Sequence, residues 1–99
     1  MGPIFTFTAE LWEHQGAGAW TFVSVPADQA DDIRGLTEGR RHGFGSVKVR
    51  AAINDSRWST SVFPDAARGT FILPVKKSIR VAEGIESGDA VTVALELVL

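Results

Sequence analysis

The 99-residue chain contains no cysteine. Disulfide bonds, thiol nucleophiles and thiolate metal sites are therefore excluded, and the hydrophobic core alone must stabilise the fold. No apolar run approaches the roughly 20 residues that a membrane-spanning helix needs. The N-terminus also lacks a charged segment followed by an apolar stretch. We expect a cytoplasmic protein that neither enters nor crosses a membrane.

The chain also lacks an excess of charge of either sign. Ten Lys and Arg residues stand against 12 Asp and Glu residues, and the formal net charge is −2. No global field therefore attracts nucleic acid or anionic lipid, so any basic site must be local. With 44% hydrophobic residues, this length predicts a single domain over residues 1–99, without room for a separate catalytic domain.

One short pattern occurs twice. Residues 20–26 read WTFVSVP and residues 58–64 read WSTSVFP, so a Trp begins each copy and a Pro ends it. Each copy follows a strand-like segment and a turn; the preceding strands are residues 4–13 and residues 46–53. The pattern predicts two pseudo-repeated β-hairpins, each terminated by its Pro. Trp20 and Trp58 are then expected to be equivalent plugs of the core or of a barrel end.

Hydrophobic periodicity divides the rest of the chain into strands and helices. Alternation predicts further strands at residues 70–73 and 91–99, and in residues 47–53 it places Lys48 and Arg50 on the outer face. Residues 27–36 take helical spacing, with Ala30 and Ile33 inward, and predict a first helix.

A second helix is predicted after Pro74, which suits the first turn of a helix. Its inward positions would be Val75, Ile79 and Ala82, and Gly84 would cap its C-terminus. Short strands with few helices predict a mainly β fold with two short helices, a small β-barrel whose open corners the helices plug.

Six segments, taken together, resemble the DUF1905 family of bacterial domains of unknown function. They follow in order over nearly the whole chain and read FTAEL (7–11), WTF (20–22), GFGSVKV (43–49), WSTSVFP (58–64), LPVKKSIR (73–80) and GDAV (88–91). The resemblance implies a double-split β-barrel, found alone or fused to a bacteriocin-protection-type domain. It implies no activity, catalytic residue or ligand.

A shorter segment, residues 72–93, is similar to the half-barrel of swapped-hairpin DNA-binding proteins of the transition-state-regulator and antitoxin type. The likeness is carried by ILPVKKSIR (72–80) and by the Gly-Ile and Gly-Asp pairs that follow. In those proteins two chains each contribute one such unit to a dimeric barrel, whereas here both halves lie in one chain. The resemblance implies DNA binding as the alternative function.

The densest set of chemically active side chains is cationic. Lys76 and Lys77 are expected in the first turn of the second helix, where the helix dipole disfavours a cation by ~0.3–1 kcal/mol and where a bound anion would reverse that effect. The opposing interpretation is an ordinary solvated surface, with the cations paired to Glu83, Glu86 or Asp65. The predicted anion-binding residues are Arg41, Lys48, Arg50, Lys76, Lys77 and Arg80, with Arg40 and His42 beside Arg41 in a Gly-rich loop.

Other chemistry has weaker support in the sequence. The hydroxyls of residues 59–61, with His14 or His42 as base, show neither a nucleophile elbow nor an acidic partner at a telling spacing. The two histidines lack metal-ligand spacing. The glycines around Phe44 lack the pattern of a phosphate-binding loop and predict a tight turn with Phe44 packed over the barrel mouth. We expect no cofactor.

These observations favour a non-enzymatic binding module that takes a small anionic ligand or a partner protein at its basic edge. DNA binding is the alternative, and the acidic net charge argues against it. A small enzyme acting on an anionic substrate is the third class, disfavoured because no acid–base pair stands out. The expected assembly is a monomer or a weak homodimer.

Overall fold

The computed structural model describes residues 2–16 and 19–99. Within these residues the chain forms seven strands, two α-helices and a short 3-10 turn at Gly43–Gly45. The mainly β fold with two short helices is confirmed. The elements are β1 Ile4–Glu10, β2 Trp12–His14, β3 Trp20–Ser24, α1 Ala27–Thr37, β4 Val47–Ile53, β5 Ser56–Asp65, β6 Thr70–Pro74, α2 Lys77–Glu83 and β7 Ala90–Leu97.

The strands form one antiparallel sheet in the order β1-β7-β4-β5-β6-β3-β2. This sheet curls because its two ends, β1 and β2, are consecutive parts of one segment interrupted only at Leu11. Strand β5 also bridges two parts of the sheet. Residues Ser56–Val62 pair with β4, and residues Phe63–Asp65 pair with β6. One face is β1-β7-β4-β5 and the other is β5-β6-β3-β2. The continuous segments β1–β2 and β5 connect these two faces into a curled, barrel-like sheet.

The strand pairing is nearly symmetric under exchange of two units, residues 4–53 and 56–97. In this exchange the two parts of β5 correspond to β1 and β2, β6 corresponds to β3, and β7 corresponds to β4. The strand order stays the same when corresponding strands change places. Individual bonds repeat as well: Val25 N donates to Phe71 O at 2.9 Å, and Val75 N donates to Thr21 O at 2.9 Å. Donor and acceptor both shift by 50 positions, because 75 − 25 = 50 and 71 − 21 = 50.

The predicted repeat is therefore in the wrong register. The counterpart of the β2–β3 hairpin is the β5–β6 connection, and the β4–β5 hairpin joins the two units. The sequence predicted that residues 4–10 pair with β3. In the structure they pair with β7. Trp20 pairs with His14 at the start of β3, whereas Trp58 lies within β5 opposite Ala51, so the two rings are not equivalent.

Pro64 does not end its strand. It pairs with Phe71 inside β5, and the strand continues to Asp65. Successive backbone groups along a strand point to opposite edges, so the nitrogen of Pro64 faces away from β6. On that side β4 begins only at Val47, opposite Val62. A proline is tolerated there because no ladder hydrogen bond is lost.

The core follows the predicted alternation most closely in β4 and α1. Val47, Val49, Ala51 and Ile53 are buried, while the two intervening cations of β4 are exposed. Helix α1 buries Ala30 and Ile33 as predicted, and it also buries Thr37. The Thr37 hydroxyl donates to the Ile33 carbonyl oxygen at 2.7 Å, which satisfies this buried polar group.

Helix α2 begins later than its sequence predicts. Pro74 is the last residue of β6, and the helix starts at Lys77 with Lys76 at its N-cap. Val75 and Ile79 are buried as expected, but Ala82 is exposed because this short helix turns only one narrow face to the core. Neither α1 nor α2 is long and apolar enough to cross a membrane.

The C-terminus of α2 has the predicted cap. Gly84 adopts the left-handed conformation at φ 63°, and Ile85 N donates to Arg80 O at 3.0 Å. Ile85 then packs against the core, which is the hydrophobic contact that accompanies such caps. The loop before β4 differs from its prediction: Phe44 has a left-handed backbone and is 97% exposed, so its ring does not pack over the barrel.

Candidate functional site

A groove opens where β5 and β6 separate. The two strands pair only at Phe63–Asp65; beyond Pro74 the chain turns into α2 while β5 runs back towards its own hairpin turn. The groove has a volume of ≈ 500 Å³, within the ~300–1,000 Å³ range of ligand sites. We call it the split groove. It is lined on the β5 side by Trp58, Ser59 and Phe63, on the α2 side by Lys76, Lys77 and Arg80, and at one end by Trp20.

The α2 side of the split groove is cationic. Lys76 and Lys77 are exposed, and Arg80 is half-buried. Arg80 Nε donates to Val75 O at 3.1 Å, which holds its guanidinium against the end of β6. In residues 2–16 and 19–99 the ion pairs are Arg34–Asp31, Arg50–Glu96 and Arg68–Asp65, so none includes a groove cation.

Two carboxylates expected as partners of these cations are engaged elsewhere. Glu83 Oε2 accepts a hydrogen bond from the Ser56 hydroxyl at 2.5 Å, and this bond is the main cause of a lowered pKa for Glu83. Asp65 accepts from Arg68 at 2.7 Å, and its side-chain hydrogen bond to Arg68 is the main cause of a lowered pKa for Asp65. Neither carboxylate forms an ion pair with an α2 cation among the described residues.

Aromatic rings complete the site. Trp20 is 57% exposed, and its ring stacks on Phe22 with centroids 6.3 Å apart. The predicted burial of Trp20 is wrong because Thr21 and Val23 take the inward positions of β3, which leaves Trp20 on the opposite face. Trp58 is half-buried and packs against the core, so its predicted burial is only partial.

The groove lies at the edge of β5 rather than on one of its faces. Trp58 and Ser59 are consecutive, so their side chains point to opposite faces of the sheet, yet both line the groove. The opposite wall consists of Pro74 and Val75, at the end of β6, and of the α2 cations, so the groove runs beside β5. The hydrogen-bonding edge of β5 is consequently part of the groove wall.

This edge of β5 carries free backbone groups. Ile53 and Ser56 pair across a two-residue turn, so they form a hydrogen-bonded pair, and bonding to β4 alternates from there. The N–H and C=O groups of Arg57, Ser59 and Ser61 therefore point away from β4, towards the side where β5 and β6 separate. Because β6 pairs only with residues 63–65, these groups have no strand partner within the described part of the chain.

In the counterpart seam, beside β1, one side chain of α1 reaches the strand edge. The Gln29 side-chain Nε2 donates to the Thr6 carbonyl oxygen at 3.1 Å, which satisfies a backbone group on the edge of β1 that faces away from β7. Helix α1 has 11 residues and α2 has seven. The shorter helix leaves a groove beside β5.

The structure groups the six predicted anion-binding residues unevenly. Three of them, on and next to α2, line the split groove. Lys48 and Arg50 line a neighbouring recess of ≈ 520 Å³, which shares Ser59 and Phe63 with the groove. Arg50 Nη1 lies 3.6 Å from Glu96 Oε1, so this cation is paired. Arg41 is exposed in the loop before the 3-10 turn and lines neither cavity.

The histidines considered as catalytic bases lie apart from the hydroxyls of residues 59–61. His14 lines a third recess, with Trp12 and Arg68, whose guanidinium carbon lies 4.1 Å from the Trp12 ring centroid. His42 lines neither the split groove nor the recess at Lys48. In the part of the chain that the structure describes, no three His, Asp or Glu side chains are gathered into a metal site.

Sequence reasoning missed the aromatic and backbone components of the site. The alternation of β3 gave no signal that Trp20 faces outward, because Trp20 and Phe22 form a face at least as apolar as that of Thr21 and Val23. The free edge at Ser59 had no signal either, because it depends on where β6 stops pairing with β5.

Comparison with known proteins gives one result at the level of family. No curated protein matches the chain. The family model described as Domain of unknown function (DUF1905) matches residues 7–95. This span contains both helices, the split groove and all strands except the ends of β1 and β7. The match covers nearly the whole chain, and the protein therefore belongs to the DUF1905 family.

Proposed function

We propose that the protein is a non-enzymatic binding module whose split groove takes an anionic ligand, either a small molecule or part of a partner protein. One observation carries the proposal. Three cations without a carboxylate partner among the described residues share a ≈ 500 Å³ groove with an exposed Trp ring. The chain as a whole is acidic, so this cationic site is a local feature.

Electrostatics favours an occupant of negative charge. Lys76 and Lys77 stand four and three residues before Arg80, and like charges at such spacings destabilise a helix by ~0.2–0.5 kcal/mol per pair. An anion between the two groove walls would offset this repulsion. Trp20 adds apolar surface of the kind found at the centre of binding interfaces. The wall residues thus suit a ligand with a charged and an apolar part.

Thermal unfolding in different salts tests the proposal. Phosphate or sulfate should raise the Tm of the wild type more than chloride at equal ionic strength. At ten times the dissociation constant, a bound anion stabilises the native state by about 1.4 kcal/mol, or about 6–11 °C for a domain of this size. The double variant Lys76→Glu/Lys77→Glu should lose this additional increase.

Arg40→Glu/Arg41→Glu is the matched control, because it makes the same change of four charge units on two adjacent exposed cations outside the groove. Sulfate also stabilises proteins generally through exclusion from their surface, and that part should be equal in all three proteins. If the wild type and the double variant respond identically to phosphate and sulfate, the groove does not bind anions.

DNA binding is a second candidate function. Lys48 in the neighbouring recess extends the cationic surface across β5, so a phosphate chain could contact more than the groove. Binding to duplex DNA would weaken steeply with salt, with a log–log slope of about −0.9 per phosphate contacted. Fluorescence anisotropy with a labelled duplex from 50 to about 200 mM salt measures this slope, and a flat response excludes the candidate.

The proposal also covers origin and setting. We propose that the two units descend from an internal duplication, and the repeated backbone bonds at Val25 and Val75 support this. A bacterial, cytoplasmic monomer or weak homodimer is the setting that fits the Cys-free sequence. Analytical ultracentrifugation over a range of protein concentrations tests the assembly.

A further inference from the structure

We propose that the ligand of the split groove is an acidic segment of a partner protein, bound in extended conformation as an added strand on the free edge of β5. The inference rests on the proposed anion-binding function and names the class of its ligand. It combines two features. Arg57, Ser59 and Ser61 have backbone groups without a strand partner among the described residues, and Ser59 lines the groove; the groove cations form no ion pair among those residues.

The backbone groups define the conformation of the ligand. Arg57, Ser59 and Ser61 present N–H and C=O groups on one edge, and alternate residues of an antiparallel strand lie about 6.8 Å apart. An extended peptide of about five residues would satisfy them in the same way as a neighbouring strand does. A small inorganic anion could neutralise the lysines but would leave most of these groups unpaired.

The described residues do not supply a strand for this edge of β5. Strand β6 leaves β5 after Phe63, and Pro74, the last residue of β6, has no N–H to donate. On the counterpart seam Gln29 donates to a backbone carbonyl of β1, whereas the hydrogen bond between α2 and β5 joins Glu83 to Ser56, at the start of the strand and away from Ser59 and Ser61. Proteins usually protect exposed edges with Lys or Pro, whereas Ser59 and Ser61 are small and permit close approach.

The charges decide between a partner protein and a second copy of this chain. Pairing two β5 edges would bring two sets of groove cations together, with Lys76, Lys77 and Arg80 facing their own equivalents. An acidic peptide meets the same cations with opposite charge. Side chains alternate along a strand, so acidic residues at alternate positions could face α2 while apolar residues contact Trp20 and Phe63.

Selection from a random nonapeptide library displayed on phage, with the immobilised wild-type protein as bait, identifies the probe. We expect enriched peptides with Asp or Glu at alternate positions and no enrichment on Lys76→Glu/Lys77→Glu. The enriched peptide is then synthesised and titrated against ¹⁵N-labelled protein. Hydrogen exchange of the Ser59 and Ser61 amides should slow at least tenfold on binding, because these N–H groups gain a partner. The amides of Trp58 and Thr60 already bond to β4 and should change little.

Two further measurements test the strand geometry. N-methylation of alternate peptide residues should reduce affinity at least tenfold in one of the two alternating series and much less in the other. Ser59→Pro removes one edge N–H without touching the β4 ladder and should also weaken binding tenfold. Thr8→Pro is its matched control, because Thr8 likewise points its N–H away from a pairing strand, on the β1 edge. Circular dichroism establishes that both proline variants are folded; the exchange and N-methylation results stand without them.

Three outcomes would overturn the inference. The first is a selection in which the enriched peptides are neutral or basic, or in which the wild type enriches no peptide more strongly than Lys76→Glu/Lys77→Glu does. The second is binding that is insensitive to N-methylation and leaves Ser59 exchange unchanged. The third is a single-stranded oligonucleotide that binds the wild type and Ser59→Pro equally well but does not bind Lys76→Glu/Lys77→Glu. If phosphate still stabilises the wild type selectively, only the peptide inference fails; if that effect is also absent, the proposed function fails with it.

Discussion

At the scale of single residues, the two tryptophans of the repeated pattern have different roles. Trp20 is 57% exposed and contributes ring surface to the split groove, whereas Trp58 is half-buried and packs on the core. Their shared sequence context reflects strand-forming propensity. Their burial is decided by which face of each strand turns inward.

Replacing each tryptophan by alanine should separate the two roles. Trp58→Ala should destabilise the protein by about 1.5–2.5 kcal/mol, roughly half of the ~3–5 kcal/mol of a fully buried aromatic residue. Trp20→Ala should cost less than about 1 kcal/mol but weaken binding of the selected peptide. Urea unfolding and peptide titration of both variants measure this, with Ser61→Ala as a control of small effect. Equal losses of stability would contradict the assignment of Trp20 to the surface.

At the scale of elements, the short helix α2 is held to the sheet by few contacts. One of them is the hydrogen bond from the Ser56 hydroxyl to Glu83, which connects the end of α2 to the start of β5. This bond is the main cause of the lowered pKa of Glu83. Because α2 carries the cationic wall, the position of that wall depends on this attachment.

The stabilising effect of this bond should depend on pH. A carboxyl group whose pKa is lowered on folding stabilises the native state above its unfolded pKa, near 4.5 for Glu83. That contribution disappears as the pH falls through the lower, folded value. The difference in urea midpoint between wild type and Ser56→Ala should therefore be largest near pH 6 and shrink towards pH 3. Glu83→Gln should remove the pH dependence of this difference, and a difference that stays constant with pH would contradict the attachment.

At the scale of the whole molecule, the two symmetric units are interleaved. The first unit supplies β1 and β4 to the face β1-β7-β4-β5, and the second supplies β5 and β7. In the other face β3 pairs with β6 across the same boundary. Neither unit thus contains a complete face, and each would expose unpaired strand edges alone.

Cutting the chain within the β4–β5 turn should test this interdependence. Fragments 1–54 and 55–99 are each expected to be unfolded alone, because most of their strand pairs cross the cut. Mixed at equal concentration, they should recover the β-sheet circular dichroism and slow amide exchange of the intact protein. A fragment 1–54 with cooperative thermal unfolding of its own would show instead that the units are independent.

Features that arise from neighbouring residues were readable in the sequence. Alternation in Val47–Ile53 was sufficient to place two cations outward, and helical spacing located α1 to within one residue. Gly84 defined the end of α2 because this cap requires a backbone in the left-handed conformation, which Gly adopts most readily. The family resemblance was likewise readable from six short segments and is confirmed over residues 7–95.

The tertiary structure alone decided which strands pair and where a groove remains. The adjacency of residues 4–10 and 12–14 suggested one hairpin strand, yet its first part pairs with β7, 80 to 92 residues away along the chain. Three of the six predicted cations meet Trp20 and the free edge at Ser59 because β6 ends at Pro74 and α2 is short. Local periodicity is set by contacts between near neighbours, so a sequence reveals it directly. Strand order depends on non-local contacts, whose net free energy no single segment encodes.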